Sequence, residues 1–309
     1  MQNYTSPTWT VGDPDTKDCY VFGNEEVARW FQQCRAIHIM TLGSTPRDDG
    51  NFFMTPQERE EVLKREPGLE RFIHRVYGSR EFIHNIERYC FWLVDAEPAD
   101  IKRSKILYER VSKVKEFRQG SKRGATQKLA DSPHLFSEIR QPSTNYLLIP
   151  SVSSSNRQYI PMGYVSPDVI VTNAAFSLPH ATPYHFGVLT SSTHMGWMRR
   201  VAGRLRMDYR YSNTLVYNTF SWPLSDPWQV KKIENTAQRI LDVRAKYPAS
   251  SYADLYDEVS MPKDLRKAHL ENDWAVLEAY GLPKDIDEEG IIMHMFRLYY
   301  EAVGKEIPQ

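Results

Sequence analysis

The pattern of apolar residues changes in kind close to residue 225, and this change limits the folds that the chain can adopt. Between residues 145 and 178, short runs rich in Val, Ile, Tyr and Leu alternate with breaks that contain Ser and Pro, which predicts β-strands. From Asp226 onward the apolar residues recur at spacings of three and four, which is typical of one face of a helix. The sequence therefore predicts a mixed unit of strands and helices followed by an all-helical unit.

Local signals locate the ends of several elements. Residues 55–58 and 226–229 both have the pattern of a capping box with proline at the first helical position. Helices are also expected over 106–118 and over 195–205, where apolar residues recur at spacings of three and four. Residues 208–220 are expected to be extended.

The predicted fold class is α+β, with an α/β domain over 41–225 and a small all-helical domain over 226–309. Residues 1–40 form an unassigned N-terminal segment. A chain of 309 residues with 41% hydrophobic and 25% charged residues suits a soluble globular protein of two domains. The cysteines are three and widely spaced, and the sequence has neither a long apolar run nor a signal-peptide pattern. We therefore expect a cytoplasmic protein with no membrane segment.

The net charge of zero excludes a uniformly basic surface, but the charge is unevenly distributed. Residues 101–130 contain ten basic and two acidic side chains. Neutralisation of phosphates by Lys and Arg provides most of the non-specific affinity for nucleic acid, so this stretch is a candidate phosphate-binding surface. The alternative is a solvated helix face without a binding role.

A second basic cluster, over residues 195–212, contains five arginines and a single acid, Asp208. The planar guanidinium group matches either a phosphate or the O6/N7 edge of guanine. If 207–212 is extended, Arg206, Asp208 and Arg210 project to one side, and Tyr209 and Tyr211 project to the other. An internal Arg–Asp ion pair on the protein surface is the alternative explanation.

The motifs of several enzyme classes are absent. Without a Pro-Pro dipeptide the chain cannot contain the Asn/Asp-Pro-Pro-Tyr/Phe signature of amino-methyltransferases, and without Gly-x-Gly or a P-loop it lacks common nucleotide-binding loops. The three histidines His180, His185 and His194 lack the partners of a zinc site. We therefore expect no catalytic residue, no metal and no bound S-adenosylmethionine in this chain.

Two other classes of function stay open on the residues alone. The tripeptides that begin at Asp15 and Asp100 match the short Asp-x-Lys element of metal-dependent nucleases, although the pattern is common by chance. The β-rich middle could also serve as the platform of an RNA-binding or protein-interaction module.

Collinear blocks between about residues 40 and 280 are similar to those of a known family. They include Ala125–Ala130, Pro133–Phe136, Ile139–Pro142, Asn145–Pro150, Ser166–Ile170, Tyr184–Ser191, His194–Leu205, Asp208–Ser212 and Ala253–Asp257. Taken together, they resemble the MmeI-like DNA (adenine-N6) methyltransferases of type II restriction–modification systems. The resemblance implies that the chain corresponds to the last two parts of such an enzyme, the target recognition domain and the C-terminal helical domain.

The same resemblance implies a DNA partner and implies that recognition and catalysis lie in different domains. The chain would bind double-stranded DNA, and the nuclease and methyltransferase domains would belong to a missing N-terminal part or to a separate polypeptide. S-adenosylmethionine would bind there. Base choice would be set by positions that match Asn173, Ala174, Arg206, Asp208 and Arg210, which overlap with the arginine cluster.

Contacts to the DNA backbone are expected from a larger set of polar and basic residues. Such contacts fix the position of a protein on the duplex without reading its sequence. The expected phosphate-binding residues are Lys122, Arg123, Lys128, Arg140, Asn145, Arg157, His194, Arg199 and Arg204.

Overall fold

The computed structural model describes residues 38–304, and all strands of this range lie before residue 211, where they alternate with helices. The strands are β1 (Thr41–Leu42), β2 (Phe53–Met54), β3 (Ile73–Tyr77), β4 (Tyr89–Phe91), β5 (Tyr146–Pro150), β6 (Val152–Ser153), β7 (Gly163–Val165), β8 (Ile170–Val171), β9 (Ala175–Pro179), β10 (Gly203–Leu205) and β11 (Asp208–Arg210). The β-rich region expected from the sequence is therefore confirmed.

These strands form three small sheets. An antiparallel sheet has the order β1-β9-β5-β7, and a second sheet, β2-β4-β3-β8, is antiparallel except for its β3–β8 pair. The third sheet, β10-β11-β6, is a hairpin that pairs with one further strand. Every residue of β5 is buried, which explains why this strand is continuously apolar instead of alternating.

Helices lie between the strands and make up the C-terminal part. They are α1 (Pro56–Arg65), α2 (Ser79–His84), α3 (Pro98–Arg103), α4 (Lys105–Gln119), α5 (Gly124–Lys128), α6 (Pro183–Leu189), α7 (Ser192–Val201), α8 (Pro227–Arg244), α9 (Tyr252–Leu255), α10 (Lys263–Ala279) and α11 (Glu288–Ala302). Both capping boxes form, at Thr55 and at Asp226. Within residues 38–304, no helix is long and apolar enough to cross a membrane.

The fold class is confirmed, with a mixed α/β part followed by helices, and one hydrophobic core runs through both parts. The ring of Trp197 in α7 packs against that of Phe296 in α11, with centroids 5.1 Å apart. Helices α6 and α8 approach so closely that a Cβ on Gly187 would lie 2.7 Å from a methyl group of Ile233. The C-terminal helices thus complete the core of the preceding part.

A buried carboxyl group strengthens this contact. Asp273 of α10 accepts hydrogen bonds from the hydroxyl of Tyr159, at 2.6 Å, and from the backbone N–H of Ser192 at the start of α7, at 2.7 Å. Burial raises the pKa of Asp273 to about 7. Helix α7, which leads directly into the β10–β11 hairpin, is therefore held to the C-terminal helices at its first residue.

Two expectations about local structure are wrong. The helix expected over 195–205 ends at Val201, because residues 203–210 pair with each other as a hairpin and bury Tyr209 against the core. The extended segment expected over 208–220 ends at Arg210. Residues Asn213–Tyr217 instead form a π-helical turn, which begins at Ser212, whose hydroxyl accepts from the N–H of Leu215.

Candidate functional site

The β10–β11 hairpin carries the arginine cluster. Gly203 pairs with Arg210 and Leu205 pairs with Asp208, so a two-residue turn, Arg206–Met207, joins the strands. Arg206 therefore lies in the turn, outside the strand that carries Asp208 and Arg210, although the sequence predicted that the three side chains project to one side. Its φ of +57° is in the left-handed region, which non-glycine residues seldom adopt.

The two faces of the hairpin differ as the alternation of the sequence predicts. Tyr209 and Tyr211 are buried, whereas Arg210 is exposed and Asp208 is half-buried. Arg204 pairs across the hairpin with Tyr209, and its guanidinium carbon lies 3.8 Å from the centre of that ring. The outer face thus presents Asp208 and Arg210.

A small network of hydrogen bonds connects this hairpin to the turn that contains Asn173 and Ala174. The carbonyl of Ala174 accepts from the hydroxyl groups of Ser79 and Ser151, and the N–H of Ser151 donates to the Ser79 hydroxyl at 2.9 Å. The carbonyl of Ser151 then accepts from the N–H of Tyr211 at 2.9 Å. The two groups of expected base-reading residues, which are about 30 positions apart in sequence, therefore lie on neighbouring segments.

The arginines on these segments are available for binding. The side chains of Arg206 and Arg210 form no hydrogen bond or ion pair with any residue between 38 and 304, and Asn173 and Ala174 are exposed. Arg80, which follows Ser79 of the network, is likewise exposed and has no such partner in the described part of the chain. Sequence reasoning missed Arg80, because only the hydrogen bonds of Ser79 bring it to this region.

Besides the exposed Arg204 of the hairpin, five of the expected phosphate-binding residues are exposed and lie on loops or short elements. Arg140 also forms an ion pair with Glu138 at 3.0 Å, with both side chains about 40% exposed, so this pair is weak and does not bury the charge. The exposed residues are Lys122, Arg123, Lys128, Arg140 and Asn145.

The basic stretch of residues 101–130 contains two arginines that serve the fold. Arg118 is 1% exposed, and its guanidinium donates five hydrogen bonds, to the carbonyls of Pro46, Arg47, Leu129, Ser132 and Leu135. Arg110 donates to the carbonyls of Asn51 and Phe53. The local excess of charge in the sequence therefore overstates the charge available at the surface.

The expectation that His194 binds phosphate is wrong. Its side chain is completely buried and its Nε2 lies 3.1 Å from the Tyr211 hydroxyl. Burial lowers the pKa of His194 to about 3, so the imidazole is neutral at physiological pH. A buried neutral ring can neither reach nor neutralise a phosphate.

Arg199 and Arg157 are only partly available. Arg199 donates two hydrogen bonds to the carboxylate of Glu288, at 2.9 and 2.5 Å, and a third to the carbonyl of Gln158, so it joins α7 to α11. Arg157 is half-buried, and the negative charge of Asp208 acts on it. Arg199 thus serves mainly to join two helices, and Arg157 lies close enough to the hairpin to interact with Asp208.

The residues proposed for nuclease chemistry do not assemble into a site within the described chain. Asp100 accepts a hydrogen bond from the N–H of Glu97 and forms an ion pair with Arg71 at 2.6 Å, so it caps α3. Asp15 lies outside residues 38–304. No group of three or more His, Cys, Asp or Glu side chains with the geometry to hold a metal ion occurs within that range.

Comparisons with known proteins agree with this geometry. The profile of the MmeI target recognition domain matches residues 24–224, and that of the MmeI C-terminal domain matches residues 225–305. DNA methyltransferase A of Bacillus subtilis (strain 168) is 36% identical over 264 residues, which are 85% of this chain and 30% of that protein.

The solved structure of the type IIL restriction–modification enzyme MmeI in complex with DNA is 42% identical in sequence to this chain. It superposes with a TM-score of 0.85 over 87% of this chain and 36% of MmeI. The chain thus spans about a third of the length of these relatives. By its two profile matches, the chain belongs to the MmeI family and contains the target recognition domain and the C-terminal domain of that family.

Proposed function

We propose that this chain reads the sequence of double-stranded DNA for a restriction–modification enzyme of the adenine-N6 methyltransferase type. The observation that carries the proposal is the pair of exposed arginines without internal partners, Arg206 and Arg210, on a hairpin tied to the Asn173–Ala174 turn. The family of the chain and the DNA complex of MmeI, its structural relative, support the same role.

The hairpin suits the major groove, which admits a two-stranded ribbon. Arg210 lies opposite Gly203, which has no side chain, so its guanidinium is free to extend from the outer face toward a guanine edge. Asp208 on the same face would accept from a cytosine amino group, and Asn173 would pair with adenine. Each good bidentate contact discriminates against the wrong base by about 1–3 kcal/mol.

Contacts to phosphates would set the position of the hairpin without adding sequence information. Arg204 belongs to β10 of the hairpin, and its guanidinium is exposed while it stacks on Tyr209, on the face opposite to Asp208 and Arg210. The remaining contacts would come from Lys122, Arg123, Lys128, Arg140, Asn145 and the exposed part of Arg157.

Methyl transfer would take place outside this chain, on a target adenine flipped into the pocket of another domain or polypeptide. S-adenosylmethionine is expected there. The described residues do not fit this cofactor, because their sheets contain one parallel strand pair, β3–β8, and no glycine-rich loop follows a parallel strand. We assign no step of the methyl transfer to residues of this chain.

Selection from a random duplex library by the full 309-residue chain, at a stated salt concentration, tests the proposal. We expect a defined consensus sequence. Arg206→Ala should then lose preference at one base pair, whereas the control Lys122→Ala should weaken binding to all duplexes alike. Absence of any consensus, or an equal loss on every sequence for Arg206→Ala, would contradict the proposal.

A further inference from the structure

Two large apolar side chains are exposed at the end of the hairpin. Leu205 is 51% exposed and Met207 is 77% exposed. Leu205 is the cross-strand partner of Asp208, and directly paired residues of a hairpin share a face. Leu205 therefore lies on the outer face with Asp208 and Arg210, and Met207 is exposed in the adjoining turn, next to Asp208.

The turn that joins the two strands has an unusual sequence. Two-residue hairpin turns favour Asn-Gly or Asp-Gly, since those residues adopt positive φ with little cost. Here Arg206 takes the left-handed conformation and Met207 follows it, so the turn is strained and its tip is apolar. Strain that the fold does not need tends to be retained at sites that bind a partner.

We propose that Leu205 and Met207 form an apolar contact with the C5-methyl group of a thymine, and thus specify one A·T pair of the recognised sequence. This inference rests on the proposed function, because it needs the outer face of the hairpin in the major groove. Thymine is the natural base that presents an apolar group there. Arg206, without a partner in residues 38–304, lies between the two side chains in sequence and would hold them against the negatively charged duplex.

The test replaces each thymine of the selected consensus by uracil, one position at a time, and measures the affinity of the full chain by equilibrium titration. Removal of one buried methyl group should weaken binding about fourfold at one position. Leu205→Ala should bind the thymine and uracil duplexes equally at that position and keep its preferences at all other positions. Met207→Ala should reduce the ratio of the affinities for the thymine and uracil duplexes at the same position.

Leu270→Ala is the matched control, because Leu270 is 44% exposed on helix α10, in the C-terminal part. It should keep the full discrimination between thymine and uracil. The proposal is overturned if the unaltered chain binds all uracil duplexes as well as the thymine duplex, if the consensus contains no thymine, or if Leu205→Ala weakens every duplex equally. In each of these cases a consensus still supports the proposed function, whereas the absence of any consensus contradicts that function itself.

Discussion

The two basic regions of this chain both have a local excess of positive charge in sequence, but they differ in structure. In the stretch 101–130, Arg118 is enclosed by five carbonyl groups and holds the surrounding loops together. In the hairpin, Arg210 is exposed and has no partner among the described residues. The density of positive charge thus does not distinguish a binding surface from a structural anchor. The two are distinguished by whether the guanidinium has hydrogen-bond acceptors within the protein.

Arg118→Met should have the largest effect, because it removes all five hydrogen bonds that one buried guanidinium donates to backbone carbonyls. We expect the free energy of unfolding to fall by about 3 kcal/mol or more, measured by urea denaturation. Lys115→Met, an exposed change on the same helix, should alter it by less than about 0.5 kcal/mol. A small effect of Arg118→Met would contradict the conclusion that this arginine is a structural anchor, in contrast to the arginines of the hairpin.

Asp273→Asn tests the contact that holds the first residue of α7 to the C-terminal helices. The pKa of Asp273 is raised to about 7 in the folded chain and is about 3.9 in an unfolded one, so the folded state binds the extra proton between these values. Stability contributed by this group is therefore present at low pH and declines by up to about 1.4 kcal/mol per pH unit through this window. The amide of the variant would not titrate.

Denaturation from pH 4 to 8 should accordingly show a flatter pH dependence for Asp273→Asn, and the variant should be the more stable chain at about pH 8. The asparagine side chain keeps the acceptor for the Ser192 N–H and can donate to Tyr159. The same pH dependence in both chains would contradict the assignment of a protonated carboxyl group.

A triple variant tests the difference between residues that position the DNA and residues that read its sequence. It replaces Lys122, Arg123 and Lys128 by glutamine. Each phosphate contact contributes a slope of about 0.9 to the dependence of log affinity on log salt, so the triple variant should lose about 3 from the slope. Its consensus should be unchanged. Arg210→Ala should show the opposite result, with an altered consensus and nearly the same slope.

Arg206→Gly should have the smallest effect on stability and a favourable one. Glycine adopts a φ near +57° without the strain that arginine has there, so we expect a gain of about 0.5 kcal/mol in the free energy of unfolding. The variant should nevertheless lose preference at one base pair. A loss of stability would indicate that the arginine side chain supports the hairpin.

The sequence predicted those parts of the fold that depend on local chemistry. The capping boxes at Thr55 and Asp226, the buried strand β5 and the long C-terminal helices follow from short patterns, and all are present. The hairpin was not predicted, because residues 195–205 have helical spacing throughout. Burial of Tyr209 and Tyr211 in the tertiary fold outweighs that local preference.

Site residues were predicted from their type and not from their surroundings. Asp208 and Arg210 stand in one short strand, so their side could be judged from alternation, whereas Arg206 lies in the turn before it. His194 and Arg118 look the same as surface residues in sequence, and only their burial distinguishes them. Arg80 depends on hydrogen bonds between segments that are 72 and 95 residues apart, which no local pattern contains.

The core that extends across residue 225 has a practical consequence for the transfer of specificity between relatives. A transplant that ends at this residue would pair α7 with foreign helices and leave Trp197, Gly187 and the Ser192 backbone facing surfaces that did not evolve with them. Grafts that exchange only the hairpin and the Asn173–Ala174 turn keep that interior intact. Engineers should therefore move these surface segments and leave the underlying scaffold whole.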